Sequence, residues 1–219
     1  MKKQSKSKPQ TILFQGDSIT DCGRSATGGA GYPAIGLGPG YPGLIGSRLW
    51  RDQPSRHWNI INRGISGNRV VDLYARWLVD GINLGPDIVS ILIGVNDTWH
   101  HFGNNNGVDV PRYDEFYRRL LDWTLEELPK VKFVLLEPFV LTFGAVNKTW
   151  LKEIRQRQQV VAKIAADYQT VFVPLQEPFN KAVKLADPAY WLVDGVHPTP
   201  AGHQLIADAW LTAAKSLLA

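Results

Sequence analysis

A single cysteine, Cys22, stands in 219 residues. No internal disulfide can form, and a reducing compartment, the cytoplasm, is the expected location. No apolar run approaches the roughly 18 residues of a membrane-spanning helix. The basic start also lacks the apolar stretch of a secretory signal, because Thr11-Ile12-Leu13-Phe14 is followed at once by Gln15, Gly16 and Asp17. Charge is short as well. The formal net charge is +4 and the pI about 9.2, but Lys2, Lys3, Lys6 and Lys8 account for the whole excess. Basicity therefore belongs to a polar tail, residues 1–10, expected to be disordered, and no nucleic-acid-binding face is implied. Internal repeats and interdomain linkers are absent.

What remains is an ordinary globular composition, 44% hydrophobic and 20% charged, in a chain long enough to bury a sizeable core. Residues 11–219 read as one domain. Five apolar runs have the length of buried strands: 11–15, 58–62, 87–93, 132–137 and 170–173. The third, Ile88-Val89-Ser90-Ile91-Leu92-Ile93, is nearly continuous, as a strand covered on both faces should be. Helical periodicity fills the intervals. Tyr113, Phe116, Tyr117, Leu120, Leu121, Thr124 and Leu128 recur at steps of three and four before Pro129. Thr199 and Pro200 have the N-cap and first-turn chemistry of a final helix striped by Leu205, Ile206, Ala209, Trp210, Ala213 and Leu217. This alternation predicts an α/β fold, a five-stranded parallel sheet between two helix layers with right-handed crossovers.

The stretch 28–46, rich in Gly, Pro and Tyr, reads as a long loop. Within it Gly38-Pro39-Gly40-Tyr41-Pro42-Gly43 matches G-x-G-x-x-G, yet no strand feeds it directly, and position 63 is arginine where a ribose-binding acid would stand. A dinucleotide site is disfavoured.

Ligands of open parallel sheets sit beyond the carboxyl ends of the strands. Three of the runs end in compact polar motifs: Gly16-Asp17-Ser18, Asn62-Arg63-Gly64-Ile65-Ser66-Gly67-Asn68 and Gly94-Val95-Asn96-Asp97. Asp194-Gly195-Val196-His197-Pro198 lies just before the final helix. A serine hydroxyl is a weak nucleophile until a base takes its proton. His197 supplies an imidazole, and Asp194, three residues earlier, can hold its other nitrogen protonated and oriented. The oxyanion formed on attack needs donors fixed in advance. The backbone N–H groups of Ser18 and Gly64 and the side-chain amide of Asn96 are the candidates, Gly64 because a missing side chain would let substrate come close to the backbone.

Ser18, Gly64, Asn96 and His197, in this order and context, resemble the four signature blocks of the SGNH hydrolases, or GDSL esterases. The resemblance runs from residue 12 to about residue 206, with Gly-Asp-Ser-Ile here in place of Gly-Asp-Ser-Leu. It implies a flavodoxin-like three-layer α/β/α sandwich, a serine after the first strand, and a reaction with no cofactor and no metal. The stretches GDSITDCGR, NRGISGNRVVDLYARW, IGVNDTW and GVHPTPAGH are most similar to those of bacterial, typically intracellular, carbohydrate acetyl esterases. That likeness, and not the spacing of residues, implies an acetylated sugar such as a xylo-oligosaccharide as the small-molecule substrate, with neither nucleic acid nor membrane as partner. Tryptophan-rich surfaces would suit a homo-oligomer.

Plainer readings stand beside these. Ser18 could merely cap a helix, and Gly64 and Asn96 could be turn residues. Asp97 fits turn hydrogen bonding better than substrate contact, and Arg63 and Asn68 fit stabilisation of their own turn. His100 and His101 diverge as neighbours and lack companion ligands. His203 suits packing in the last helix, and Cys22 suits a small buried residue. Trp99 and Trp191, each three residues from a proposed site residue, could stack on a sugar ring or belong to the core. The residue chemistry is shared by lipid and thioester hydrolases and by acyltransferases, which remain the alternative activities. A carbohydrate-binding module without turnover would be expected to have lost Ser18 or His197, and both are present.

Overall fold

Residues 9–25 and 36–219 are described by a computed structural model. The tail expected to be disordered lies outside the described residues, save for residues 9 and 10, as do residues 26–35, which take in 28–35 of the glycine-rich stretch. The five strands are β1 (Thr11–Gly16), β2 (Asn59–Asn62), β3 (Ile88–Leu92), β4 (Lys132–Leu136) and β5 (Val171–Val173). All pair in parallel, in the order β2-β1-β3-β4-β5. Ile12 lies in register with Ile60 on one side and Ile88 on the other, which makes β1 a central strand.

The helices are α1 (Ser18–Asp21), α2 (Tyr41–Asp52), α3 (Val70–Asp80), α4 (Val95–Asn104), α5 (Val110–Glu127), α6 (Trp150–Asp167), α7 (Gln176–Ala182), α8 (Pro188–Trp191) and α9 (Pro200–Ala213). Successive strand side chains point to opposite faces, so each strand feeds two cores. Ile12, Phe14, Ile88, Leu92, Val134 and Leu136 pack on one face with Tyr41, Ile45 and Leu49 of α2 and Ile206 and Trp210 of α9. Leu13, Val89, Ile91, Phe133 and Leu135 pack on the other with Leu73 and Trp77 of α3, Tyr117 and Leu120 of α5, and Val161 and Ile164 of α6. The result is the three-layer sandwich that the alternating pattern predicts.

Two indoles sunk in these cores are paired, whereas the buried Tyr117 hydroxyl has no partner among the described residues. The Trp210 indole N–H donates to Ser90 Oγ at 2.9 Å and that of Trp77 to Thr124 Oγ1 at 2.8 Å. An unpaired donor at such a depth would cost about 1–3 kcal/mol. Thr199 caps α9 by accepting from the Gly202 N–H, and Asp109 caps α5 by accepting from that of Arg112. The glycine-rich stretch departs from expectation. Its described end is not loop throughout, because α2 begins at Tyr41, with Pro42 in a first turn whose N–H groups need no intrahelical acceptor. Burial of Ile45 and Leu49 then holds the helix against the sheet.

Candidate active site

β1 delivers the first block. Its strand ends at Gly16, and Asp17 caps α1 by accepting from the Ile19 N–H at 3.0 Å. Ser18 is the first residue of that single helical turn, which stops at Cys22 in the left-handed conformation (φ 37°). A buried strand followed by one capped turn therefore lifts the Ser18 hydroxyl to the rim of the sheet.

Ser18 Oγ lies 2.8 Å from His197 Nε2, and His197 Nδ1 lies 2.7 Å from Asp194 Oδ2. Asp194 Oδ1 accepts from the N–H groups of Val196 (3.0 Å) and His197 (2.9 Å), so the loop carrying the acid also wraps it. Partial burial alone would raise the Asp194 carboxyl. The hydrogen bonds from His197 and Val196 outweigh that and hold it below its ordinary value. A carboxylate at Oδ2 requires the proton on Nδ1, which leaves the Nε2 lone pair free to accept from the Ser18 hydroxyl. The loop itself is fastened on two sides. The Val193 N–H donates to His197 O at 2.7 Å, while Leu141 N–H and Ala145 N–H, from the segment after β4, donate to Gly195 O and Asp194 O. Gly195 has φ +94°, and a Cβ there would meet Phe143 O at 2.4 Å.

The second and third blocks interlock with the first. Ile65 N–H donates to Gly16 O, and the Asn96 side-chain amide donates to Asn68 O at 3.1 Å. Asp97 accepts from the N–H of Val70, the first residue of α3, and thus ties the first turn of α4 to the helix that follows the second block. Gly64 is placed otherwise than expected. A Cβ on it would lie 2.4 Å from the Asp21 backbone nitrogen, so the glycine is required by the close approach of α1 rather than by a ligand. Its N–H donates to Asn62 Oδ1 at 2.9 Å, while Asn62 Nδ2 donates to Thr20 O and Leu37 O. The Gly64 N–H could serve an oxyanion only by sharing itself with Asn62.

Two acids, Asp17 and Asp97, are buried near Ser18. Burial pushes Asp17 up to about 7, against the Ile19 N–H and with help from Asp97, and Asp17 Oδ2 has no partner among the described residues. Burial likewise pushes Asp97 up to about 6 despite the pull of Arg157. Sequence reasoning gave Asp97 local turn bonds; its partner is instead 27 residues away. Burial, reinforced by the nearby His197 imidazole, lowers His203 to about 4, so its ring is neutral. His203 Nδ1 accepts from the Tyr41 N–H, which puts the ring proton on Nε2, 3.2 Å from Cys22 Sγ. His203 thus offers Cys22 a proton rather than a base, and burial, aided by Asp21, raises the thiol.

Of the two candidate tryptophans, the structure brings one to the serine–histidine pair. The Trp99 ring centroid is 5.7 Å from that of His197 and 5.3 Å from that of Trp150. Trp191 is half-buried, donates from its indole to Ala186 O, and accepts at its carbonyl from Thr199, as a brace at the base of the Asp194 loop. His101 pairs with Glu153 at 2.5 Å, and no three His, Cys, Asp or Glu side chains gather as a metal would require among the described residues. Asn62 was missed as an organising residue because its partners are distant in sequence or lie in the backbone, and Asn68, expected to stabilise its own turn and bonded there to Ile65, also receives the distant Asn96 amide. The recurrence of asparagine at both ends of the second block was the available signal.

A serine, an imidazole and a carboxylate aligned at the carboxyl edge of a parallel sheet define a hydrolase of the acyl-transferring kind, and comparison with known proteins agrees. The chain belongs to the GDSL-like lipase/acylhydrolase family, whose model matches residues 14–205, and it is a carboxylic ester hydrolase. It is 39% identical over 204 residues to an acetylxylan esterase of Geobacillus stearothermophilus, covering 92% of each chain. A crystal structure from Parabacteroides merdae assigned to the GDSL-like lipases superposes with a TM-score of 0.91 at 40% identity, covering 95% of this chain and 96% of that one. The acetylxylan esterase Axe2 of G. stearothermophilus gives 0.84 at 36% identity, with 93% of each chain covered. Two further Axe2 structures are catalytic mutants, one with a serine and one with an aspartate replaced by alanine. Among the described residues no helix is long and apolar enough to cross a membrane.

Proposed function

We propose that this enzyme removes acetyl groups from xylo-oligosaccharides or related sugars through an acyl-enzyme on Ser18. The unbroken contact from Ser18 Oγ through His197 to Asp194 carries the reading. Ser18 Oγ attacks the ester carbonyl as its proton passes to His197 Nε2, and Asp194 stabilises the imidazolium that results. The tetrahedral oxyanion is met by the Ser18 N–H and the Asn96 amide, with the Gly64 N–H shared from Asn62 as a third donor. Collapse breaks the bond to the sugar oxygen, which takes the proton from His197. Water, activated by the same imidazole, then releases acetate and restores Ser18. Residues 11–219 act as one catalytic domain, and a single cysteine fits work in the reducing cytoplasm.

The triad and oxyanion donors demand only an ester carbonyl. The acetyl-sugar substrate is supported by the acetylxylan esterase relatives and by Trp99, whose ring borders His197 where a leaving sugar would depart. Trp191 supports the sugar site from behind the loop. The test is a panel of acetylated xylo-oligosaccharides, aryl acetate, and butyryl and octanoyl esters, with free acid measured. Acetyl should be hydrolysed fastest, with higher kcat/KM on the sugar than on the aryl ester. Faster octanoyl hydrolysis would point to a lipid esterase, and acyl transfer to an added alcohol at the expense of free acid would point to an acyltransferase.

A further inference from the structure

Arg76 is an enclosed charge that no step above uses. It projects from α3, two helical turns from the catalytic loops it reaches, and its side chain is only 15% exposed. Nε donates to Asn68 Oδ1 at 2.8 Å, Nη1 to Asp80 Oδ2 at 3.2 Å, and Nη2 approaches Gly16 O at 3.5 Å. Gly16 immediately precedes the Asp17-Ser18 turn. Asn68 closes the second loop by donating its N–H to Ile65 O, and its own carbonyl receives the Asn96 amide. The guanidinium therefore touches the first loop, grips the second, and reaches the third through a single backbone carbonyl.

A carboxamide has two nearly equivalent ends, and rotation by half a turn would present Asn96 Oδ1, an acceptor, where a donor is needed. The Asn68 carbonyl distinguishes the ends, because only Nδ2 can donate to it. Its value depends on staying in place, and fixed donors are what make an oxyanion site effective. Asn68 lies in a turn through Gly67 (φ +84°), a backbone with little stiffness of its own. Fork-shaped binding by arginine supplies the missing constraint.

We infer that Arg76 is a positioning residue for the oxyanion: by holding the Asn68 side chain beside the Gly16 carbonyl, it fixes the backbone carbonyl that orients the Asn96 amide. This rests on the reading of Asn96 as an oxyanion donor. Arg76→Met keeps the stem and removes the fork, and Asn68→Ala removes the acceptor while keeping the carbonyl. Each should lower kcat by about 10- to 100-fold, the scale of one charge-assisted hydrogen bond, with KM nearly unchanged and active-site titration showing full folding. Arg76→Lys should recover part of the loss. In an Asn96→Ala background, Arg76→Met should cost less than about threefold more, because residues acting as a unit are not additive. Unchanged kcat in Asn68→Ala, or losses from Arg76→Met and Asn96→Ala that multiply, would overturn the role of Arg76. Full kcat in Asn96→Ala alone would instead overturn the oxyanion reading. If Arg76→Met does not fold, the Asn68→Ala and Asn96→Ala pair, measured the same way, decides the question.

Discussion

At the residue scale the proposed mechanism divides one reaction among the three groups in line. Ser18→Ala should lower kcat by about 10⁴-fold or more, and His197→Ala by a similar factor, with no further loss when the two are combined. Steady-state hydrolysis of an aryl acetate checks this, and a Ser18→Ala enzyme keeping a tenth of its turnover would remove the nucleophile from the scheme. Asn96→Ala should cost about 10²- to 10³-fold in kcat with little change in KM, since its bond strengthens as charge develops on the oxygen. The contact of Ser18, His197 and Asp194 was legible in the sequence because chemistry restricts the candidates: few side chains can attack, accept a proton or orient an imidazole. Gly64 was legible as a position and not as a cause. Nothing in Arg63-Gly64-Ile65 discloses that the Asp21 backbone would sit against it.

Asp17 makes a testable residue-scale claim of its own. Its folded value of about 7 lies above the ordinary 3.8, so the folded enzyme holds a proton that the unfolded chain has released. The stability it contributes is full below pH 3.8 and is lost as pH rises through 7. Asn carries no such proton. The melting temperature of Asp17→Asn relative to wild type should therefore rise progressively between about pH 4 and pH 8, with Asp97 present in both proteins. A difference constant across that range would mean that Asp17 is not held protonated.

At the element scale, site geometry depends on how loops are fastened. The Asp194 loop is closed by its own Val193–His197 bond and clamped by the segment after β4, with Gly195 threaded between carbonyls. Gly195→Ala adds a methyl where φ is +94° and Phe143 O stands 2.4 Å away. It should lower the melting temperature by several degrees, the effect of strain at a positive-φ position of about 1–3 kcal/mol, and lower kcat more than KM as Asp194 shifts. Calorimetry with parallel kinetics checks both; an unchanged kcat would show that the clamp does not position the acid. Elements with strong local signals were readable in advance. All five strands and α5 follow from hydrophobic period, and α9 from its period together with the Thr199 cap. The start of α2 at Tyr41 was hidden because glycine and proline, loop signals by composition, here serve a first helical turn and close packing.

At the scale of the whole molecule, the parallel order β2-β1-β3 brings the segments that carry residues 18, 64 and 96 to one edge of the sheet, where His197 meets Ser18. Each of three adjacent strands ends at the same edge, and the last helix returns the Asp194 loop to it. That convergence could be argued from α/β topology alone, but the polar lattice binding the loops, Asn62 to Thr20 and Leu37, Asn68 to Asn96, Asp97 to Val70, depends on distances that no spacing discloses. The central claim is that ester turnover passes through a covalent acyl group on Ser18. Rapid quenching during turnover of an activated acetyl ester, followed by mass spectrometry of the intact enzyme and its peptides, tests it most directly. One acetyl group per chain should accumulate in a burst, map to the peptide containing Ser18, and be absent in Ser18→Ala. Acetyl found on another residue, or full turnover with no covalent adduct and no burst, would contradict the account.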